Sequence, residues 1–238
     1  MKTDRSHRYF CITLVFASFC PLLTGLFPPA AFARGPLDLT PVESWLGRMA
    51  GMKSVEATFV QQRYLRTLRK PLTTSGHLWL QYPKNFRWEL GDPPSTIAIR
   101  NQDTLMVLEP KKKRAQRFSL VTKEGKDSSP VPASIRSVSR SFPRSMKELE
   151  EHFNILGLEK NGKVYDLTLK PKDKSLSFAM RRVVFFIDAE KYHLHGFEIQ
   201  FKDKSRIRTT FTRQLFNPTI PDGLLNPDIK GYKVSDRS

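Results

Sequence analysis

The chain has 238 residues, with 40 Lys or Arg against 23 Asp or Glu, a formal net charge of +17, and two cysteines. That length fits one domain with a sizeable core. The charge excess points to anionic surroundings, such as phospholipid or lipopolysaccharide head groups, and to electrostatic steering of partners. Both cysteines, Cys11 and Cys20, fall near the N-terminus. Beyond them the chain has no disulfide, no thiol nucleophile and no cysteine-based metal site.

Lys2, Arg5 and Arg8 form a positive segment, residues 9–19 are apolar, and Ala31-Phe32-Ala33 supplies an A-x-A cleavage site. This pattern reads as a secretory signal peptide over residues 1–33, leaving a single domain over 34–238. An uncleaved anchor is the alternative; a lipobox at Cys20 is disfavoured by bulky Phe19 before it. No later segment has the roughly 18 to 20 uninterrupted apolar residues of a membrane span. Export also counts against nucleic acid as the partner of the basic surface, and no nucleic-acid motif is present.

Thr40 and Glu43 read as a capping box around Pro41. Val42, Trp45, Leu46 and Met49 follow at i, i+3, i+4, i+7, the stripe of an amphipathic helix. Such a stripe packs a helix on a sheet or serves as a lid over an apolar face, which makes Trp45, Leu46 and Met49 lid candidates. Val55, Ala57 and Phe59 alternate in a first strand, and residues 69–74 read as a loop.

Residues 76–109 organise the rest. Leu78, Leu80 and Tyr82, then Phe86, Trp88 and Leu90, then Ile97 and Ile99 occupy alternate positions between Pro83, Gly91-Asp92-Pro93-Pro94 and Asn101-Gln102-Asp103. Period two broken by turn residues predicts consecutive antiparallel strands. The motif G-x-L-x-L-x-x-P-x-x-F-R-W-E, here Gly76, Leu78, Leu80, Pro83, Phe86, Arg87, Trp88 and Glu89, is preceded by Phe59-Val60-Gln61. It resembles the periplasmic outer-membrane lipoprotein carrier (LolA-like) family. The similarity continues through residues 167–171 to Asn217. Where well-studied carriers have a basic residue before the proline, this chain has Tyr82.

The resemblance implies a mainly β fold: a strongly curved antiparallel sheet of about 11 strands forming an open, incomplete barrel, with short helices as a lid. It also implies acylated lipoproteins or lipid as cargo. The partners would be an inner-membrane ATP-binding-cassette release complex and an outer-membrane receptor. It implies no cofactor. A monomer is expected, in the periplasm.

After Met106 and Leu108, residues 109–113 form a charged turn. Lys111, Lys112, Lys113 and Arg114 read either as a solvated hairpin tip that blunts a sheet edge or as a contact for membrane or an acidic partner. Residues 121–133 are a polar loop. Ile135, Val138 and Phe142 suggest one short helix; Ser145 and Glu148 cap another carrying Met146, Leu149 and Phe153. Strands resume at 155–159 and 163–170, with Asn161-Gly162 the strongest hairpin signal, and continue over 180–188, 192–202 and 206–215. Three prolines after Asn217 predict an extended tail.

No G-x-S-x-G, H-E-x-x-H, phosphate loop or dinucleotide fingerprint occurs. His193 and His195 share a strand face but would need a third ligand to hold a metal, and Glu148, Glu150 and Glu151 read as a solvated helix face. An enzyme is therefore not expected, and neither catalytic residues nor a metal site are assigned. A half-open barrel would shield acyl chains without covalent chemistry, if the alternate positions face its lumen. Phe59, Leu78, Leu80, Phe86, Trp88, Ile97 and Ile99 are the candidate lining residues. A sensor or regulatory domain of the same fold, or a carrier of a different (glyco)lipid, are the competing readings.

Overall fold

The computed structural model describes residues 37–120 and 142–237. The expected signal segment with its cleavage site, the 121–133 loop, and the helix positions Ile135 and Val138 lie outside the described residues.

The first helix, α1 (Thr40–Ala50), begins one residue earlier than the capping box requires. Leu39 takes the cap position with no side-chain bond, and the Thr40 amide donates to Asp38 Oδ1 instead (3.0 Å). Its apolar stripe behaves as the spacing demands: Val42, Trp45, Leu46 and Met49 are all buried. In the second helix, α2 (Met146–His152), the Glu148 amide donates to Ser145 Oγ (3.2 Å), which satisfies one of the free amides of the first turn. Phe153 is not part of this helix. It opens the next strand.

Twelve strands form one sheet: β1 (Ser54–Tyr64), β2 (Leu72–Gln81), β3 (Asn85–Leu90), β4 (Thr96–Asn101), β5 (Thr104–Glu109), β6 (Arg114–Ser119), β7 (Phe153–Asn161), β8 (Val164–Pro171), β9 (Met180–Asp188), β10 (Leu194–Phe201), β11 (Arg206–Phe216) and β12 (Lys233–Arg237). Their order across the sheet is β12-β6-β5-β4-β3-β2-β1-β11-β10-β9-β8-β7. The sheet is curved and does not close on itself. Two meanders, β1–β6 and β7–β11, meet along the β1–β11 pair, and only the β12–β6 pairing is parallel.

Four local expectations need correction. Residues 72–74 belong to β2 rather than to a loop, because Leu72 already pairs with Arg63. The β7–β8 hairpin turns on Gly162-Lys163, one place later than Asn161-Gly162, since Asn161 pairs with Val164 and only Gly162 takes a positive φ (61°). The tail after Asn217 is not merely extended: it contains a 3-10 turn (Asp222–Leu224) and the twelfth strand. Because β12 pairs with β6, the lysine run does not cap a free edge. A short third helix, α3 (Lys174–Ala179), between β8 and β9 was not foreseen.

Alternation fixes the two faces. Val55, Ala57, Phe59, Leu78, Leu80, Phe86, Trp88, Val183, Phe185, Phe197, Ile199 and Phe211 are buried on the concave side, with the stripe of α1 and Leu149 of α2 joining the same cluster. Trp45 meets Phe185 edge-on at 5.5 Å between ring centroids. On the convex side the C-terminal tail lays Leu225, Ile229 and Tyr232 over Ile97, Ile99, Leu108 and Ala115.

Candidate functional site

Gly76, Phe59 and Trp88 show why the central motif has its composition. Phe59 on β1 stands opposite Gly76 on β2. A Cβ built on Gly76 would lie 2.1 Å from the Phe59 ring and 2.5 Å from the Glu89 carbonyl oxygen. The missing side chain is therefore the space the ring occupies. Phe59 then stacks on Trp88 at 4.1 Å, and Phe197 and Phe211 complete an aromatic group, with Trp88–Phe197 at 6.2 Å and Phe197–Phe211 at 6.3 Å. These rings span the seam between the two meanders.

On one side of the aromatic group the concave face is filled by α1. The space left among Met49, Val55, Ala57, Leu78, Leu80 and Phe211 is only about 20 Å³. On the other side lies a cavity of about 660 Å³. Phe86, Trp88, Leu90 and Ala98 form one wall, Phe197, Ile199, Phe201 and Ile207 the other, and Phe178 and Ala179 of α3 overhang it. The volume falls within the roughly 300–1,000 Å³ of ligand-binding pockets. Gln61 is a polar group on the cavity wall, with its amide donating to Thr209 Oγ1 (3.3 Å). Arg63, Lys202 and Asp203 stand at the mouth.

The structure divides the seven lining candidates. Phe86 and Trp88 face the cavity, and Phe59 backs Trp88 as part of the aromatic group. Leu78 and Leu80 face the filled half beneath α1. Ile97 and Ile99 are a correction: they lie on the convex face, under the tail. The register explains it. Trp88 pairs with Ala98, while Ile97 and Ile99 pair with Glu89 and Arg87, so Ala98 takes the cavity side. The cavity residues that the motif did not reveal come from β10, β11 and α3. The one local signal for them is the alternation of Phe197, Ile199 and Phe201, which shows a buried strand face but not the meander it will meet.

The remaining motif residues work outside the cavity. Arg87 Nε donates to Glu89 Oε1 (2.6 Å), with both side chains largely buried, and Arg87 Nη1 donates to the Leu224 carbonyl (3.0 Å), which pins the tail to the convex face. Tyr82 lies under Arg144, whose guanidinium is 4.6 Å from the ring centroid. That guanidinium also donates to the carbonyl oxygens of Met49, Ala50 and Met52 at the end of α1. A basic side chain thus lies against Tyr82, supplied by the segment before α2. Burial holds the Tyr82 phenol well above its usual range, and the Arg144 charge only partly opposes that shift.

Trp45, Leu46 and Met49, the lid candidates, are buried on the core-facing side of α1 and do not line the cavity. Lys112 and Arg114 both donate to Glu109 (2.6 and 2.9 Å), and the Lys112 bond is the main cause of that carboxyl's lowered pKa. Lys111 and Lys113 are exposed beside them. His193 and His195 line an open surface groove of about 850 Å³ with Arg48, Lys191 and Arg213. Among the described residues no group of three His, Cys, Asp or Glu could hold a metal ion, and no helix is long and apolar enough to cross a membrane.

The described residues form an unclosed antiparallel half-barrel with a largely apolar cavity on its concave face. The chain belongs to the outer membrane lipoprotein carrier protein LolA family, whose model matches residues 50–228. No curated protein matches it. Among solved structures it is similar to a domain from Vibrio parahaemolyticus assigned as an outer membrane lipoprotein-sorting protein, at 15% identity and TM-score 0.48, covering 79% of this chain and 95% of that one. It is also similar to a LolA superfamily protein from Nitrosomonas europaea (10% identity, TM-score 0.42, 78% and 98%). A third similar structure is the lipoprotein LppX of Mycobacterium tuberculosis (12% identity, TM-score 0.36, 77% and 96%).

Proposed function

We propose that this chain is an exported, non-enzymatic carrier that shelters the acyl chains of lipoproteins in its cavity while they cross the periplasm from inner to outer membrane. One observation carries the reading: an apolar space of about 660 Å³ left open on the concave face of a family built for lipoprotein carriage. Exposing acyl chains to water costs about 0.8 kcal/mol per CH₂, so a preformed apolar wall supplies the driving force without covalent chemistry. Secretion with cleavage after Ala33, delivery from an inner-membrane release complex and handover to an outer-membrane receptor complete the proposal.

The test is mass spectrometry of material co-purified with the chain from the periplasm, beside titration with an apolar fluorescent probe. Acylated lipoprotein in the purified complex is the expected result. Free lipid or glycolipid with no protein attached would reassign the cargo. No bound material and no probe binding would remove the carrier reading altogether.

A further inference from the structure

The rim around the cavity mouth mixes exposed apolar and basic side chains. It is formed by the β1–β2 loop (65–71), the β10–β11 turn (202–205) and α3. Strand pairing places them side by side: Tyr64 opposes Arg206, whose guanidinium lies 4.1 Å from the Tyr64 ring centroid. The Lys202 amide donates to the Ala179 carbonyl (3.0 Å), and Lys202 Nζ sits 5.6 Å from the Phe178 ring centroid.

Three large apolar side chains stand in water on this rim. Phe178 is 81% exposed, Leu72 51% and Leu68 44%. Arg66, Arg69, Lys70, Lys202 and Lys204 are interleaved with them, all exposed. The acid among them, Asp203, is engaged within its own turn by the amide and hydroxyl of Ser205 (2.9 and 2.6 Å). The lysine run of the β5–β6 turn lies on the same rim of the sheet, further round. At the opposite rim, the turns at 82–84, 102–103, 162–163 and 189–193 carry Lys84, Lys163 and Lys191 against Asp103 and Glu190, with exposed Phe216 at the end of β11.

We propose that this rim is a docking surface for an anionic lipid bilayer, which sets the cavity mouth against the membrane. The apolar side chains reach the acyl boundary and the surrounding cations meet anionic head groups. Such a mixture of exposed apolar and basic groups is what binds peripheral proteins to anionic leaflets. The inference rests on the carrier reading for its purpose but not for its test.

The experiment measures co-sedimentation of the purified chain with phosphatidylcholine vesicles, with and without phosphatidylglycerol, beside titration with the apolar probe. Binding is expected only with phosphatidylglycerol, and it should weaken with salt. Each basic residue near an anionic surface contributes about 1 kcal/mol, or about fivefold in partition. The triple variant Arg66→Gln/Arg69→Gln/Lys70→Gln should therefore lose about a hundredfold in vesicle partition and keep wild-type probe affinity. Lys84→Gln/Lys163→Gln on the opposite rim should change neither. Phe178→Trp offers an independent readout: its emission should shift to the blue with anionic vesicles alone. Probe binding without any vesicle binding overturns the docking proposal and leaves the carrier reading standing. Vesicle binding without probe binding does the reverse. Equal losses from both rims, or salt-sensitive capture by an acidic protein in place of vesicles, also overturn the docking surface.

Discussion

The concave face carries the same alternation of large apolar residues from end to end, yet its two halves end in different states. In one half Val42, Trp45, Leu46 and Met49 fill the trough and leave about 20 Å³; in the other, none of the described residues fills it and about 660 Å³ stays open. Helix α1 is one reason for the difference, since it is long enough to plug only part of the trough. The aromatic group of Phe59, Trp88, Phe197 and Phe211 is the other, because it stands as a wall between the filled half and the cavity. An apolar stripe therefore says that water is excluded. It does not say whether protein or ligand excludes it.

Substitutions can sharpen that contrast. The largest effect is expected from Trp45→Ala, which empties the filled half: a loss of about 3–5 kcal/mol in a denaturant melt, with probe affinity unchanged in the fraction that stays folded. Leu80→Ala should follow at about 2–5 kcal/mol and likewise spare the probe, because Leu80 faces α1 and not the cavity. Arg144→Ala removes the donors that hold the last carbonyls of α1 and should cost about 1.5–3 kcal/mol; a matching rise in amide exchange confined to α1 would locate the loss.

Trp88→Ala reverses the pattern. It should destabilise less than Trp45→Ala but weaken probe binding about tenfold, equivalent to about 1.4 kcal/mol. If Trp88→Ala and Leu80→Ala changed probe binding equally, the division into two halves would be wrong. The smallest effect concerns His193, whose pKa burial lowers despite the nearby Asp188 carboxylate. A depressed folded pKa means that the neutral ring is favoured in the native state. Its contribution is therefore present above the unfolded pKa of about 6.5 and is lost as pH falls through the folded value. His193→Asn should flatten the dependence of melting temperature on pH below neutrality, while probe binding stays unchanged.

Much of the fold was legible because alternation and turn residues are local properties: the meanders, the α1 stripe and the motif that carries the family resemblance all follow from them. The cavity was only half legible. Ile97 and Ile99 alternate as well as Phe86 and Trp88 do, but which set faces inward depends on the register across residues 91–95. That register places small Ala98 against Trp88. The error was hidden because both faces of β4 are buried, one by the cavity wall and the other by a tail more than a hundred residues away. The β10, β11 and α3 lining could not be assigned from sequence, since nothing local in residues 178–207 shows which meander they will meet.

That meeting has a consequence for how the chain reaches its final form. Each meander is assembled from neighbouring hairpins, but the two join at β1 and β11, where Thr58 Oγ1 and Thr212 Oγ1 are 2.9 Å apart across 154 positions of sequence. Closing so long a loop is entropically costly and slow compared with forming a hairpin. The cavity straddles this join, with Gln61 and Arg63 on one side and Ile207 on the other. Ligand affinity should therefore appear late in refolding, after most of the strand signal has been recovered. A refolding chain would pass through an interval in which its two curved halves exist and the cavity between them does not.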